Sequence, residues 1–293
     1  MNFFKNMSLK TPLFHKVTIV GVGLMGGSLG MAIKKHNIVK EVVGISQKDS
    51  SLGHALKNNV IDHAATDLKS AVQNADLVIL ATPVKTIINL LSTIGPHLRR
   101  HCIVTDVGST KASIVEAAQK FLPPHVLFVG SHPLAGSEKR GSAYATADLF
   151  EGAMCIMTPI EHTNRLAKEK VKHFWMNIGC TVKMLPPEEH DKIVAYISHL
   201  PHLVAYGLMG AIPQEYLEYA AQGFKDTTRV ASSSPQMWND ICMVNKKNIV
   251  KSLDELVKNL AAYRKAIIGK DESGLMDHFE KAKVKRDSFE KNG

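Results

Sequence analysis

The chain has little of what would announce a metal, a disulfide framework or a nucleic-acid surface. Its four cysteines, Cys102, Cys155, Cys180 and Cys242, are widely spaced and form no C-x-x-C pair. That excludes zinc-ribbon spacing and a stapled secreted scaffold and leaves reduced core thiols. The 14 histidines make no ligand signature, so no metal is expected. No apolar run is expected to reach the length of a bilayer span. The leader, residues 1–15, carries Phe3 and Phe4 but no signal-peptide core or cleavage site, which reads as a frayed terminus of a cytoplasmic protein. A net charge of +9 suits anionic ligands. Much of it is lysine near the C-terminus, around Lys246-Lys247 and Lys281 to Arg286, and with no nucleic-acid motif present it reads as a solvated face.

What is there describes an ordinary globular chain with room for two domains: 293 residues, 45% hydrophobic and 22% charged. Lys16 to Val20 is a short β-branched run followed by Gly21-Val22-Gly23-Leu24-Met25-Gly26-Gly27-Ser28 and a helical pattern. This is G-x-G-x-x-G with a strand before it and a helix after it, the context of a dinucleotide-binding turn. Gly21 permits the tight turn, Gly23 lets a pyrophosphate approach the helix N-terminus, and Gly26 lets helix and strand pack closely. Leu24 and Met25 belong to the same loop.

The second strand, Glu41 to Ser46, ends where an NAD-binding unit usually carries a carboxylate for the ribose 2′-hydroxyl. Here Ser46, Gln47 and Lys48 stand at that point. A hydroxyl and a cation accept a 2′-phosphate that a carboxylate would repel, so the cofactor is read as NADP or NAD, leaning towards NADP. Asp76 to Pro83 is another strand, and its end, Ala81-Thr82-Pro83, should pass beside the cofactor. Further strands follow at Cys102 to Asp106, Val126 to Val129, Ala153 to Met157 and Cys180 to Leu185. Strands alternating with helices predict an α/β chain whose Rossmann domain, residues 16–186, is doubly wound.

The apolar run Val126 to Val129 leads into Gly130-Ser131-His132-Pro133-Leu134-Ala135-Gly136-Ser137-Glu138. A histidine in a Gly/Ser-rich turn at the carboxyl end of a parallel strand stands where such sheets bind ligands, placed for proton chemistry near neutral pH. A turn histidine that bonds only backbone is the plainer alternative.

After Pro186-Pro187 the β pattern stops. Residues 187–293 predict an all-α domain: a helix from Glu188 to Ile212 kinked at Pro201, a second from about Gln236 to Ile268, and a third from Met276 to Phe289. These helices carry more apolar face than one subunit can bury, so a homodimer through the helical domain is expected. His199 and His202 share a helix face. Asp226 and Arg229, three apart, form either a helical ion pair of little consequence or an arginine held by Asp226 for a substrate carboxylate.

Taken together these residues resemble the prephenate/arogenate (cyclohexadienyl) dehydrogenase family of tyrosine biosynthesis, from about Lys16 to Phe289. The resemblance rests on Gly-x-Gly-Leu-Met-Gly-Gly-Ser from Gly21, Asp-Val-Gly-Ser at 106–109 and Ser-His-Pro-Leu-Ala-Gly-Ser-Glu at 131–138. Ser-His-Leu-Pro-His at 198–202 and Asp-Thr-Thr-Arg at 226–229 complete it. It implies oxidative decarboxylation of prephenate or arogenate by hydride transfer to NAD(P). By the same resemblance His132 polarises the substrate's ring hydroxyl and Ser109 orients it, making these two the catalytic residues. Arg229 binds substrate carboxylate, and His190, His199, His202, Ser137, Glu138 and Asp226 shape the pocket. Trp238 matches a tryptophan supplied by the neighbouring subunit. Ser46 departs from the Asp of many bacterial relatives. Two other readings stay open at this point: another Rossmann-plus-helical dehydrogenase of the β-hydroxyacid or imine reductase type, and a non-catalytic NADP-sensing protein.

Overall fold

The computed structural model describes residues 12–47, 49–136 and 141–292. Eight strands form one sheet: β1 (Phe14–Val20), β2 (Val39–Ile45), β3 (His63–Ala65), β4 (Leu77–Leu80), β5 (Ile103–Asp106), β6 (Leu127–Pro133), β7 (Met154–Thr158) and β8 (Thr181–Met184). Their spatial order is β3-β2-β1-β4-β5-β6-β7-β8. The helices between them are α1 (Leu24–Lys35), α2 (Asp49–Lys57), α3 (Leu68–Val72), α4 (Val84–Ile94), α5 (Ala112–Phe121) and α6 (Arg165–Asn177). Beyond the sheet come α7 (Pro187–Val194), α8 (Leu200–Ala211), α9 (Gln222–Thr228), α10 (Pro235–Val244), α11 (Lys246–Ile268) and α12 (Glu272–Asn292).

β4, Leu-Val-Ile-Leu, is buried at every position, as a parallel strand covered on both faces must be. β1 lies between β2 and β4 and is parallel to both. The chain order reverses across the β1–β4 pair, so the crevice beyond their carboxyl ends is the switch point of the sheet. On the far side, Phe150, Phe174 and Trp175 pack edge to face with centroids 5.4–5.9 Å apart and fill the core under α6.

The structure departs from the sequence reading in several places. β6 does not end at Val129. Leu127 to Val129 pair in parallel with β5, then Gly130 to Pro133 pair antiparallel with β7, His132 opposite Ile156. His132 therefore sits on a paired strand rather than in a turn, because the chain exchanges one ladder for another at Gly130. β1 begins at Phe14, so the expected leader overlaps the first strand. The expected helix 236–268 is broken at Asn245, which ends α10. The helical stretch Pro187–Ala211 is long and apolar enough to cross a membrane by length and composition, contrary to expectation. It carries His190, His199 and His202.

The chain also groups into two compact units. One runs from Met1 to Lys246 and the other from Lys247 to Gly293. The reason is that α7 packs against α5 and β7, and α10 packs against α4, which joins the helices up to 244 to the sheet. In the second unit, Tyr263 of α11 meets His278 and Phe279 of α12 edge-on, at 5.4 and 5.8 Å between centroids.

Candidate active site

The nucleotide turn is built at the switch point. Gly21 has φ +101°, and a Cβ there would lie 2.7 Å from the carbonyl oxygen of Ala81, so the β1 and β4 loops touch only because position 21 is glycine. Gly23 caps α1 with no side-chain hydrogen bond, and a Cβ on it would meet nothing within 4 Å. A helix start without a side-chain cap, with open space at Gly23, fits a dinucleotide pyrophosphate. A Cβ on Gly26 would strike the Gly21 carbonyl at 2.0 Å. Leu24, Met25, Ala81, Thr82 and Pro83 line the same end of the sheet, and Ser46 follows β2 directly. Lys48, Ser137 and Glu138 lie outside the described residues.

The catalytic end lies at the carboxyl ends of β5 and β6, where a wholly buried lysine sits. Lys111 Nζ pairs with Asp106 Oδ2 and donates to the Ser131 carbonyl at 2.7 Å. Asp106 in turn accepts the N–H of Gly108 at 2.8 Å and of Ser131 at 3.2 Å. One ion pair thus holds the backbone before Ser109 and before His132. Burial pushes the Lys111 ammonium down from its usual range, and Asp106 opposes that shift. Lysine reads as surface in a sequence, so this pair gave no signal there.

His132 is 8% exposed. Its Nδ1 lies 2.8 Å from His190 Nε2, and His190 Nδ1 lies 2.8 Å from Asp191 Oδ1. Both carboxylate oxygens of Asp191 also accept backbone N–H groups, from Lys111 at 2.6 Å and Ala112 at 3.0 Å. An oxygen pair accepting on both sides leaves His190 Nδ1 as the donor. His190 Nε2 then accepts from His132 Nδ1–H, and His132 Nε2 keeps its lone pair. Burial, with His190 and Lys111 adding to it, holds the His132 pKa well below 6.5. The arrangement is a neutral imidazole with its basic nitrogen left for a ligand.

His190, His199 and His202 reach one side of the site through a π-turn. At about 100° per residue, His199 would stand about 180° and His202 about 120° around a regular helix from His190. The π-turn Ala195–His199 adds one residue without advancing the helix. Downstream positions fall back by about 100°, leaving His202 about 20° and His199 about 80° from His190. His190 and His199 are fully buried, which places them behind the site rather than against a ligand.

His202 is half-buried, and its Nδ1 donates to the Ser198 carbonyl at 2.9 Å. Trp238 stacks on it at 3.8 Å and meets His199 edge-on at 5.9 Å. The tryptophan that the family resemblance assigns to a neighbouring subunit thus packs within its own chain. α10 is fixed on α4 by the Lys85–Asp240 pair at 3.0 Å, which brings Trp238 onto the π-turn. Arg229 opens a short helix packed on α8, where Tyr206 Oη donates to the Ser233 carbonyl at 2.8 Å. It stands close enough to His202 to depress its pKa, after burial. Asp226 is exposed and accepts from Gln222 Nε2 at 2.7 Å. Among the described residues no cluster of His, Cys, Asp or Glu could hold a metal.

Comparison with known proteins agrees with this geometry. A family model described as "Prephenate dehydrogenase, nucleotide-binding domain" matches residues 29–184, and "Prephenate dehydrogenase, dimerization domain" matches residues 186–281. The prephenate dehydrogenase of Bacillus subtilis is 39% identical over 280 residues, covering 93% of this chain and 76% of that protein. The cyclohexadienyl dehydrogenase of Zymomonas mobilis is 34% identical over 281 residues, covering 94% and 96%. The crystal structure of prephenate dehydrogenase from A. aeolicus in complex with hydroxyphenyl propionate and NAD+ superposes with a TM-score of 0.87 at 33% identity, covering 96% of this chain and 99% of that one. A nucleotide turn, a buried histidine relay and these matches over nearly the whole length place the chain in the prephenate dehydrogenase family.

Proposed function

We propose that the chain oxidatively decarboxylates prephenate, or its amino counterpart arogenate, with His132 as the general base. The observation that carries this reading is the Asp191–His190–His132 chain, which leaves His132 Nε2 unprotonated and free to accept. Gly21, Gly23 and Gly26 would hold a nicotinamide nucleotide, which would supply the acceptor for the hydride that leaves the substrate's carbinol carbon. His132 Nε2 takes the ring hydroxyl's proton as that carbon becomes a carbonyl. The ring C–CO2 bond then breaks, its electron pair enters the ring, and the ring becomes aromatic. The phenolate oxygen recovers the proton from His132, giving 4-hydroxyphenylpyruvate, or tyrosine from arogenate, and CO2. Ser109 orients the hydroxyl, while Arg229 and His202 anchor a carboxylate. His190 and His199 act from behind these groups. Asp226 completes the pocket.

Two finer points belong to the same reading. Ser46, in place of a carboxylate, favours NADP at least as well as NAD, by no more than about tenfold, since one exposed charge contributes about 1 kcal/mol. The protein acts as a cytoplasmic homodimer through its helical half. What supports the dimer is the dimerization-domain match and the apolar surface of α11 and α12, where Val257, Leu260, Ile267, Met276, Phe279 and Phe289 are exposed. Neither nucleic acid nor membrane is a partner.

The test is absorbance at 340 nm with prephenate and with arogenate, each with NAD and NADP. The reading expects nucleotide reduction with at least one of these substrates. No reduction with either would remove it. A strong NAD preference would overturn only the cofactor point.

A further inference from the structure

Asn245 lies in no motif, yet it touches more of the site's scaffold than its position suggests. It ends α10, its N–H bonding the Ile241 carbonyl at 2.9 Å, and it is 4% exposed. Its side chain reaches back 54 residues, where Nδ2 donates to the Asp191 carbonyl at 2.8 Å and faces His199 Nδ1 at 3.2 Å. The Asp191 carbonyl also accepts the N–H of Ala195, the residue at which the α-helix gives way to the π-turn. Asn245 therefore brackets that turn, bonding just before its start and at its last residue. A side chain inserted beside a helix ladder is a known cause of such irregularity.

The chemistry of the contact fixes a proton. A backbone carbonyl only accepts, so the amide's NH2, not its oxygen, faces Asp191. The second N–H of that group points at His199 Nδ1, which must then carry a lone pair. The proton of a neutral His199 is left on Nε2. The ring is neutral at pH 7, because burial lowers its pKa to about 4 against the opposing charge of Asp191. The groups that face it are Asp191, His190, His202 and the carbonyl of Ser109. Among the described residues no hydrogen bond of normal geometry reaches Nε2.

We propose that Asn245 is a positioning residue for the oxidation described above: it braces the π-turn and fixes the His199 proton on Nε2. In so doing it sets Trp238, which packs on that ring, His202, which stacks on Trp238, and the loop of Ser109. The proposal rests on the functional reading only for its kinetic consequence. The tautomer is a property of the ligand-free chain.

The experiment uses the full-length protein with 15N-labelled histidine. Wild-type His199 is expected to show Nδ1 unprotonated and Nε2 protonated at neutral pH. Asn245→Asp is nearly isosteric but cannot donate when ionised, and its carboxylate would face the Asp191 carbonyl and His199 Nδ1. It should move the His199 proton to Nδ1 or protonate both nitrogens. kcat/KM for prephenate should fall about 10- to 100-fold with the nucleotide KM unchanged. Activity should recover in part as the pH is lowered and the new carboxyl regains a donor. A merely structural residue would give no such acid recovery.

A wild-type spectrum with the proton on Nδ1 overturns the proposal, and it does so even if the variant fails to fold. So does an Asn245→Asp enzyme within twofold of wild-type kcat/KM. Absence of turnover by the wild-type protein would count against the functional reading, and the spectrum would still decide the tautomer.

Discussion

Asp191 makes three bonds with two oxygens, and replacing it separates what each bond does. In Asp191→Asn the amide can sit two ways. With its NH2 at the Oδ1 position it would oppose two donors, Lys111 N–H at 2.6 Å and His190 Nδ1–H at 2.8 Å. At the Oδ2 position it opposes one, Ala112 N–H at 3.0 Å. The second placement wins, so His190 keeps its acceptor and His132 keeps its tautomer. What is lost is the carboxylate's charge, two rings from the base. At an effective dielectric near 20 that is worth about 2 kcal/mol, about thirtyfold in kcat. One opposed buried donor costs a further 1–3 kcal/mol or so of stability.

Asp191→Ala removes the charge and the tautomer lock together. A wrong tautomer in a serine-protease triad costs about 10⁴ in kcat, so this variant should lose about a thousandfold or more. Steady-state kinetics with prephenate at saturating nucleotide, beside urea unfolding of both variants, makes the comparison. If the asparagine variant lost as much kcat as the alanine variant, the tautomer would not survive the amide as argued; if the alanine variant kept more than half, the relay would have no part in the reaction.

Other outcomes follow from the same geometry. Lys111→Met leaves Asp106 buried and uncompensated, which should cost about 3–5 kcal/mol; an unchanged urea midpoint would mean the pair is dispensable. Arg229→Ala should raise the substrate KM about thirtyfold, the lower end of the 2–5 kcal/mol range, because the guanidinium is exposed without ligand; an unchanged KM would return Arg229 to a structural role. His132, His190, His199 and His202 all have lowered pKa values, for which burial is the first cause. Below about pH 6.5 the unfolded chain therefore binds more protons than the folded one. Stability should be complete above that pH and fall as the pH drops through the folded values, about 4 for His199. Denaturation midpoints that stay flat from pH 7 to 4.5 would contradict it.

The strands were legible because apolar or β-branched runs such as Val17 to Val20 and Leu77 to Leu80 are buried on both faces and need no distant partner to be recognised. The nucleotide turn was legible because its glycines answer to local geometry. The extension of β6 through His132 was not, since its antiparallel partner β7 comes more than twenty residues later and nothing local marks the exchange at Gly130. The break at Asn245 was equally hidden: no glycine or proline marks the place, and the side-chain bond to Asp191 joins residues far apart in sequence. The three histidines of the 190–202 segment were read as pocket residues from the resemblance. Their division into one half-buried group, His202, and two fully buried ones depends on a π-turn that has no sequence period of its own. Trp238 gave no sign of packing on its own chain, for its place is set by the remote Lys85–Asp240 pair.

The central claim is that His132 takes the hydroxyl proton, and His132→Asn tests it most directly. With prephenate and saturating nucleotide, followed at 340 nm, the account predicts a kcat about 10²–10⁴ below wild type and a substrate KM within a few-fold, because Arg229 and His202 are untouched. A variant that kept more than about half of the wild-type kcat would contradict the assignment of His132 as the base.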